Sequence, residues 1–131
     1  WGRTFGMVSP GNRVRIGRTA EGVAASFLAR NGYQILLRNY RTRRGEIDII
    51  ARDGGTIVFV EVKARRHGID SSLEAVDFRK RRRIVRAALH FITTRRLDGV
   101  SFRFDVVAVT LGRAGVVRAI HLEKNAFAVD E

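Results

Sequence analysis

Gly-Glu-Ile-Asp-Ile-Ile (residues 45–50) and Ile-Val-Phe-Val-Glu-Val-Lys (57–63), separated by a polar turn through Asp53-Gly54-Gly55, are the segments of this 131-residue chain from which an architecture can be built. Both apolar runs are rich in β-branched residues and bounded by turn formers, the pattern of two antiparallel strands joined by a short loop. Side chains alternate between the faces of a strand. Glu46 and Asp48 are therefore expected on one face, and Phe59, Glu61 and Lys63 on one face of the partner, with Val58, Val60 and Val62 turned into a core. Such a hairpin gathers Asp48, Glu61 and Lys63 on one surface. Two carboxylates about 4 Å apart repel by roughly 4 kcal/mol at an effective dielectric near 20, so they share a site only with a compensating cation. Spacing alone leaves two cations open: the lysine, in an ordinary cross-strand ion pair, or a divalent ion such as Mg²⁺, which prefers carboxylate oxygens.

On the N-terminal side, Trp1 to Asn12 reads as a flexible tail and residues 13–131 as a single domain. Ile16, Ala20, Val23, Ala24, Phe27 and Leu28 recur at helical spacing, and Asn31-Gly32 supplies a stop. Glu21 borders that apolar stripe. An acid there is either a solvated flank or, if the helix packs over the Asp48 and Glu61 end of the sheet, a third carboxylate for the site. Tyr33 to Asn39 reads as the first strand, and Arg38, Arg41, Arg43 and Arg44 form a basic approach to Gly45.

Beyond Lys63 come Arg65 and Arg66, then a loop in which Ser71-x-x-Glu74 resembles a capping box and Asp77 is a second N-cap. Ile84, Val85, Ala88, Leu89 and Ile92 mark a helix from Phe78 to Arg96. Its first turns hold Arg79, Lys80, Arg81, Arg82, Arg83 and Arg86, a cationic start that the helix dipole disfavours and that either phosphate or plain solvation accommodates. Ser101–Leu111 and Val116–Leu122 read as the last strands, with Glu123 to Glu131 as a tail. The three histidines, His67, His90 and His121, are scattered without metal-ligand spacing and read as structural or surface residues.

The charge points outward. Lys and Arg number 25 against 13 Asp and Glu, a net charge of +12. Most of the excess is arginine, whose planar fork suits phosphate oxygens, so a polyanion and most simply a nucleic acid is the expected partner. There is no cysteine, which excludes disulfides and thiol catalysis. No apolar run reaches the 18 or so residues of a membrane span and no apolar signal segment is visible, so a cytoplasmic location and no membrane partner are expected.

The order of a helix with Glu21, a strand, the Asp48 strand, the Glu61-x-Lys63 strand, a helix and two strands resembles the PD-(D/E)xK nuclease superfamily, including archaeal-type Holliday junction resolvases. More narrowly it is similar to the bacterial YraN-type family. The matching residues are Ala20-Glu21, Arg38-Asn39-Tyr40-Arg41, Gly45-Glu46-Ile47-Asp48, Val58-Phe59-Val60-Glu61-Val62-Lys63 with Arg65, Ala75-Val76 with Lys80, and Arg103-Phe104-Asp105-Val106. Ile47 stands where the superfamily has its eponymous proline. The resemblance implies an α/β fold with a restriction-endonuclease-like central mixed β-sheet flanked by α-helices, in the order αβββαββ. It implies a metal-dependent DNA endonuclease acting on branched or otherwise structured DNA. Asp48 and Glu61 would ligate Mg²⁺ or Mn²⁺, with the Val62 carbonyl and Glu21 as further ligands, and Lys63 would position or deprotonate the attacking water. Arg41, Arg43, Arg44, Arg65, Arg66, Arg79, Lys80, Arg82 and Arg83 are the expected nucleic-acid contacts, and a homodimer is expected by analogy with the resolvases. The alternative is a non-catalytic nucleic-acid-binding module with the same fold.

Overall fold

The hairpin carries bulky apolar residues at successive positions, Ile49 beside Ile50 and Val58 beside Phe59, so both faces of its sheet need cover. A computed structural model, which describes residues 4–5, 18–66 and 78–128, shows how the cover is supplied. The elements are β1 (Thr4–Phe5), α1 (Arg18–Arg30), β2 (Gln34–Thr42), β3 (Gly45–Asp53), β4 (Thr56–Arg66), α2 (Phe78–Thr94), β5 (Ser101–Leu111), a 3₁₀ turn (Arg113–Gly115) and β6 (Val117–Phe127). From residue 18 onward the order is the expected αβββαββ. The strands lie in the spatial order β1-β6-β5-β4-β3-β2. Neighbours are antiparallel except β4 and β5, which run parallel and are joined through α2, as a parallel pair requires.

One face packs on α1: Ala20, Ala24, Phe27 and Leu28 meet Ile49, Ala51, Val58, Val60, Val107 and Val109. The other packs on α2, where Ile84, Ala87, Ala88 and Phe91 meet Ile50, Phe59, Phe104 and Phe127. The valines of β4 thus face a core as expected, and the Phe59 face is a second core. Helix α1 ends where expected. The amide of Tyr33 bonds back to the Leu28 carbonyl across Gly32, whose φ of 92° an L side chain rarely adopts.

Several boundaries differ from the sequence reading: α2 ends at Thr94 and not Arg96, and β4 runs past Lys63 to Arg66. Strand β2 runs on to Thr42, because Arg41 and Thr42 pair with Glu46 and Gly45 of β3. The segment expected to be a C-terminal tail is strand as far as Phe127, whose ring stacks on Phe104 with centroids 4.8 Å apart. Of the segment read as an N-terminal tail, Thr4–Phe5 pair with His121 and Ile120 of β6. The other residues of that segment, the loop with Ser71, Glu74 and Asp77, and His67 lie outside the described residues. Among the described residues no helix is long and apolar enough to cross a membrane.

Candidate active site

Asp48 sits where the β3 alternation slips. Ile49 and Ala51 face α1, yet Ile47 packs with the α2-side core beside Ile50. Opposite this slip, between the Arg38–Ile49 and Tyr40–Ile47 pairs, Asn39 of β2 takes a left-handed φ of 56°. The ladder between β3 and β4 ends at the Ile49–Val60 pair. Past it the Asp48 carboxylate takes over, accepting the Val62 N–H at 2.8 Å. A side chain has replaced a strand carbonyl, which satisfies the amide and draws the carboxyl to β4.

Glu61, on the Phe59 face of β4, is buried at 4% exposure. Its charge falls beside Asp48. Burial chiefly, then the Glu61 charge, pushes the Asp48 carboxyl from the ordinary 3.8 up to about 7, with the Val62 N–H and Lys80 opposing. The two acids face a cavity of about 750 Å³ bounded by the β2–β3 turn and the start of α2, lined on its cationic side by Arg41, Arg43, Arg79, Lys80 and Arg83 and also by Glu46, which pairs with Arg41 at 3.4 Å. Gly45 permits that closure, since a Cβ there would collide with the Arg83 carbonyl of α2.

The cation that reaches Glu61 is Lys80, in an ion pair with its Oε2. Burial lowers the Lys80 pKa, but the hydrogen bond and charge of Glu61, with help from Asp48, outweigh it and hold the ammonium above its usual value. A signal for this was present in the sequence. Lys80 is one turn before the buried Ile84, on the inward stripe of α2, and it is the lone lysine in an arginine run. Lys63, half-buried on β4 two residues past Glu61, does not line the cavity.

Glu21 is placed differently again. Its Oε1 accepts Asn39 Nδ2 at 2.8 Å and pairs with Arg38 at 3.3 Å. It thereby braces the left-handed residue opposite Asp48 and does not join the acids; it does not line the cavity. Among the described residues no cluster of three or more His, Asp or Glu side chains forms. Of the expected nucleic-acid contacts, Arg44 and Arg82 are exposed near the cavity-forming segments, Arg82 over the Phe78 ring. Arg65 and Arg66 lie elsewhere, at the far end of β4. His90 shares a hydrogen bond with the Tyr40 hydroxyl at 2.5 Å.

A second polar centre surrounds Asp105. Fully buried Asp105 receives Arg103 Nε at 3.0 Å, the Tyr33 hydroxyl at 3.0 Å and the Asn125 N–H at 2.8 Å. Arg103 also reaches Asp53 at 2.8 Å, and its hydrogen bond holds that carboxyl below its ordinary range. Burial, then the Asp105 charge, raises the Tyr33 phenol well above its usual value.

The profile described as Uncharacterised protein family UPF0102 matches residues 20–109, from α1 into β5. A UPF0102 protein of Syntrophus aciditrophicus is 50% identical over 117 residues, 87% of this chain and 89% of its own. One of Caldicellulosiruptor saccharolyticus is 44% identical over 119 residues, 88% and 99% of the two chains. One of Moorella thermoacetica is 47% identical over 116 residues, 88% and 97%.

Proposed function

We propose that this chain, which belongs to the UPF0102 family, is a metal-dependent endonuclease that hydrolyses phosphodiester bonds in DNA, including branched or otherwise structured DNA. The observation that carries the reading is the meeting of Asp48 and Glu61 at the splayed end of β3 and β4, in a cavity whose other wall is cationic. This is the YraN-type, PD-(D/E)xK reading of the motif, now with geometry behind it.

The donor set fits a hard divalent ion. Two carboxylates are side by side, and the Val62 N–H and Lys80 engage one named oxygen of each. Mg²⁺ needs one or two carboxylates and completes its shell with water and phosphate. An Asp48 carboxyl raised to about 7 is ionised more readily beside a cation than beside Glu61 alone. Asp48 and Glu61 would hold the ion, with the Val62 carbonyl as a further donor and Glu21 supporting through Asn39. When bound, Mg²⁺ or Mn²⁺ supplies Lewis acidity toward water and phosphate oxygen.

The remaining work belongs to side chains. Arg41, Arg43, Arg79 and Arg83 bind and orient the phosphate through paired N–H donors. Lys80, firmly charged, offsets negative charge that builds on phosphate next to Glu61. Lys63 is the residue offered by the motif for orienting the attacking water.

The test is cleavage of labelled duplex, single-stranded, flap and four-way-junction DNA with Mg²⁺ or Mn²⁺. Asp48→Asn and Glu61→Gln are each expected to lower the rate by about 10²–10³-fold, the scale of losing one preorganised electrostatic group, while DNA binding survives. Cutting that persists in both variants would sink the assignment. One observation favours the second reading, a nucleic-acid-binding module: Lys80 already neutralises Glu61 without a metal. Binding with no cleavage in either metal would select it.

A further inference from the structure

A second cavity, of about 900 Å³, lies at the C-terminal end of β4 and differs in chemistry from the first. It opens where the parallel strands β4 and β5 end, at the Arg66–Leu111 pair, and the β5–β6 turn closes it. Four arginines line it: Arg65 and Arg66 from β4, Arg113 from the 3₁₀ turn and Arg118 from β6, with Leu111 and Val116 as apolar wall. Among the described residues no acid lines it.

The backbone builds this arrangement. The stem of Arg118 lies across Gly112, where a Cβ would come within 2.6 Å of the Arg118 Cδ, so a side chain there would displace the arginine. The turn is tied by Gly112 N–H to the Val116 carbonyl at 2.6 Å and by Val116 N–H to the Arg113 carbonyl at 3.1 Å. Ala114 within it takes a left-handed φ of 57°, a costly conformation for a residue with a Cβ. Four like charges around one concavity repel, and the concave wall focuses their field. An anion relieves that repulsion, and phosphate oxygens match the planar donor forks. The carboxyl ends of parallel strands are also where open α/β sheets take ligands.

We propose that this cavity is a second phosphate site, which holds backbone phosphates of a polynucleotide away from the Asp48–Glu61 pair. The identity of the ligand rests on the nucleic-acid part of the function proposed above, not on hydrolysis. Arg65 is four residues beyond Glu61, roughly 13 Å along an extended strand. That is under half of the ~34 Å rise of one duplex turn, so a single DNA molecule is long enough to reach both sites.

The experiment uses the full chain carrying Asp48→Asn, so that cleavage does not intervene, with and without Arg113→Gln/Arg118→Gln. Binding of single-stranded and four-way-junction DNA is read by fluorescence anisotropy across a salt series, and inorganic pyrophosphate is titrated into both proteins by calorimetry. The arginine variant is expected to bind DNA about tenfold or more weakly, with a log–log salt slope shallower by about 1.4–1.8, the loss of two phosphate contacts at 0.7–0.9 each. Arg65→Gln/Arg66→Gln, which removes charge from the opposite wall, should do the same, and an unchanged melting temperature shows that either variant has folded. Unchanged affinity and slope in both folded variants would overturn the proposal and leave the nucleic-acid reading standing. A parent that binds no DNA would sink that reading and the polynucleotide assignment with it. Pyrophosphate binding without DNA binding would likewise overturn the assignment, in favour of a free phosphoanion.

Discussion

Asp48 and Asp105 occupy matching predicaments in one sheet, on opposite sides of β4, and the sheet resolves them in opposite ways. Each lies where a strand ladder is interrupted, and each carboxylate accepts the stranded backbone amide, Val62 N–H for Asp48 and Asn125 N–H for Asp105. At Asp105 the register with β6 shifts between Phe104 and Val106, and Arg103 and Tyr33 supply further donors. Its oxygens accept from Arg103, Tyr33 and Asn125, and it lines neither of the two cavities described above. Asp48 has one backbone donor, a second carboxyl for a neighbour and a cavity in front of it. A buried acid surrounded by donors is architecture, whereas a half-buried acid facing another acid holds unrelieved electrostatic energy that a ligand can release.

Mutating the two aspartates separates these roles. The largest effect is expected from Asp105→Ala, which strips Arg103, Tyr33 and Asn125 of a common acceptor. Breaking a buried ion pair on one side costs about 3–5 kcal/mol, a large part of a typical domain's 5–15 kcal/mol, and should be read as a lower urea midpoint. A loss under about 1 kcal/mol would erase the contrast drawn here.

Asp48→Asn should act with the opposite sign. The folded state binds the Asp48 proton more tightly than the unfolded state, so this group's contribution to stability is full below about pH 4, falls as pH rises, and is lost above about pH 7. The variant should therefore match the wild type near pH 4 and exceed it by about 1–3 kcal/mol at pH 8, in buffer free of divalent ions. Denaturant melts of the two proteins across that range check the sign. An Asp48→Asn protein less stable than wild type at pH 8 would mean that Asp48 is a satisfied acid like Asp105.

The smallest effect belongs to Lys80→Ala. Its side chain is 52% exposed, so solvent screens the pair and the stability cost should stay within about 1 kcal/mol. Its removal should nonetheless raise the Asp48 pKa further, because Lys80 is one of the groups that lower it. The carboxyl resonance followed by NMR titration would show this, and an unchanged Asp48 titration would place the lysine outside the site.

Much of this was legible from residue order. The hairpin, α2 and β5 declare themselves through apolar periodicity, and β5 begins and ends at the residues expected. The end of β6 was hidden, since Glu123-Lys124-Asn125 breaks alternation. That stretch is strand because Asp105 caps the Asn125 amide and Phe127 stacks on Phe104, contacts with a strand some twenty residues away. The acid pair was legible because side-chain alternation along the two strands of a hairpin puts Asp48 and Glu61 on one surface. Its cation was not. Lys63 is nearest in sequence, but Lys80 arrives from a helix seventeen residues further on, and the inward stripe of α2 carries it there.

Local pattern therefore settles the helices and the central strands, that Asp48 and Glu61 meet, and that the chain is cationic. These depend on side-chain alternation and charge, which act over a few residues. Tertiary structure alone decided that Glu21 braces Asn39, that Lys80 answers Glu61, and that four arginines from three segments share one cavity. Those outcomes depend on which elements pack together across the sheet, a choice made by burying both of its faces at once.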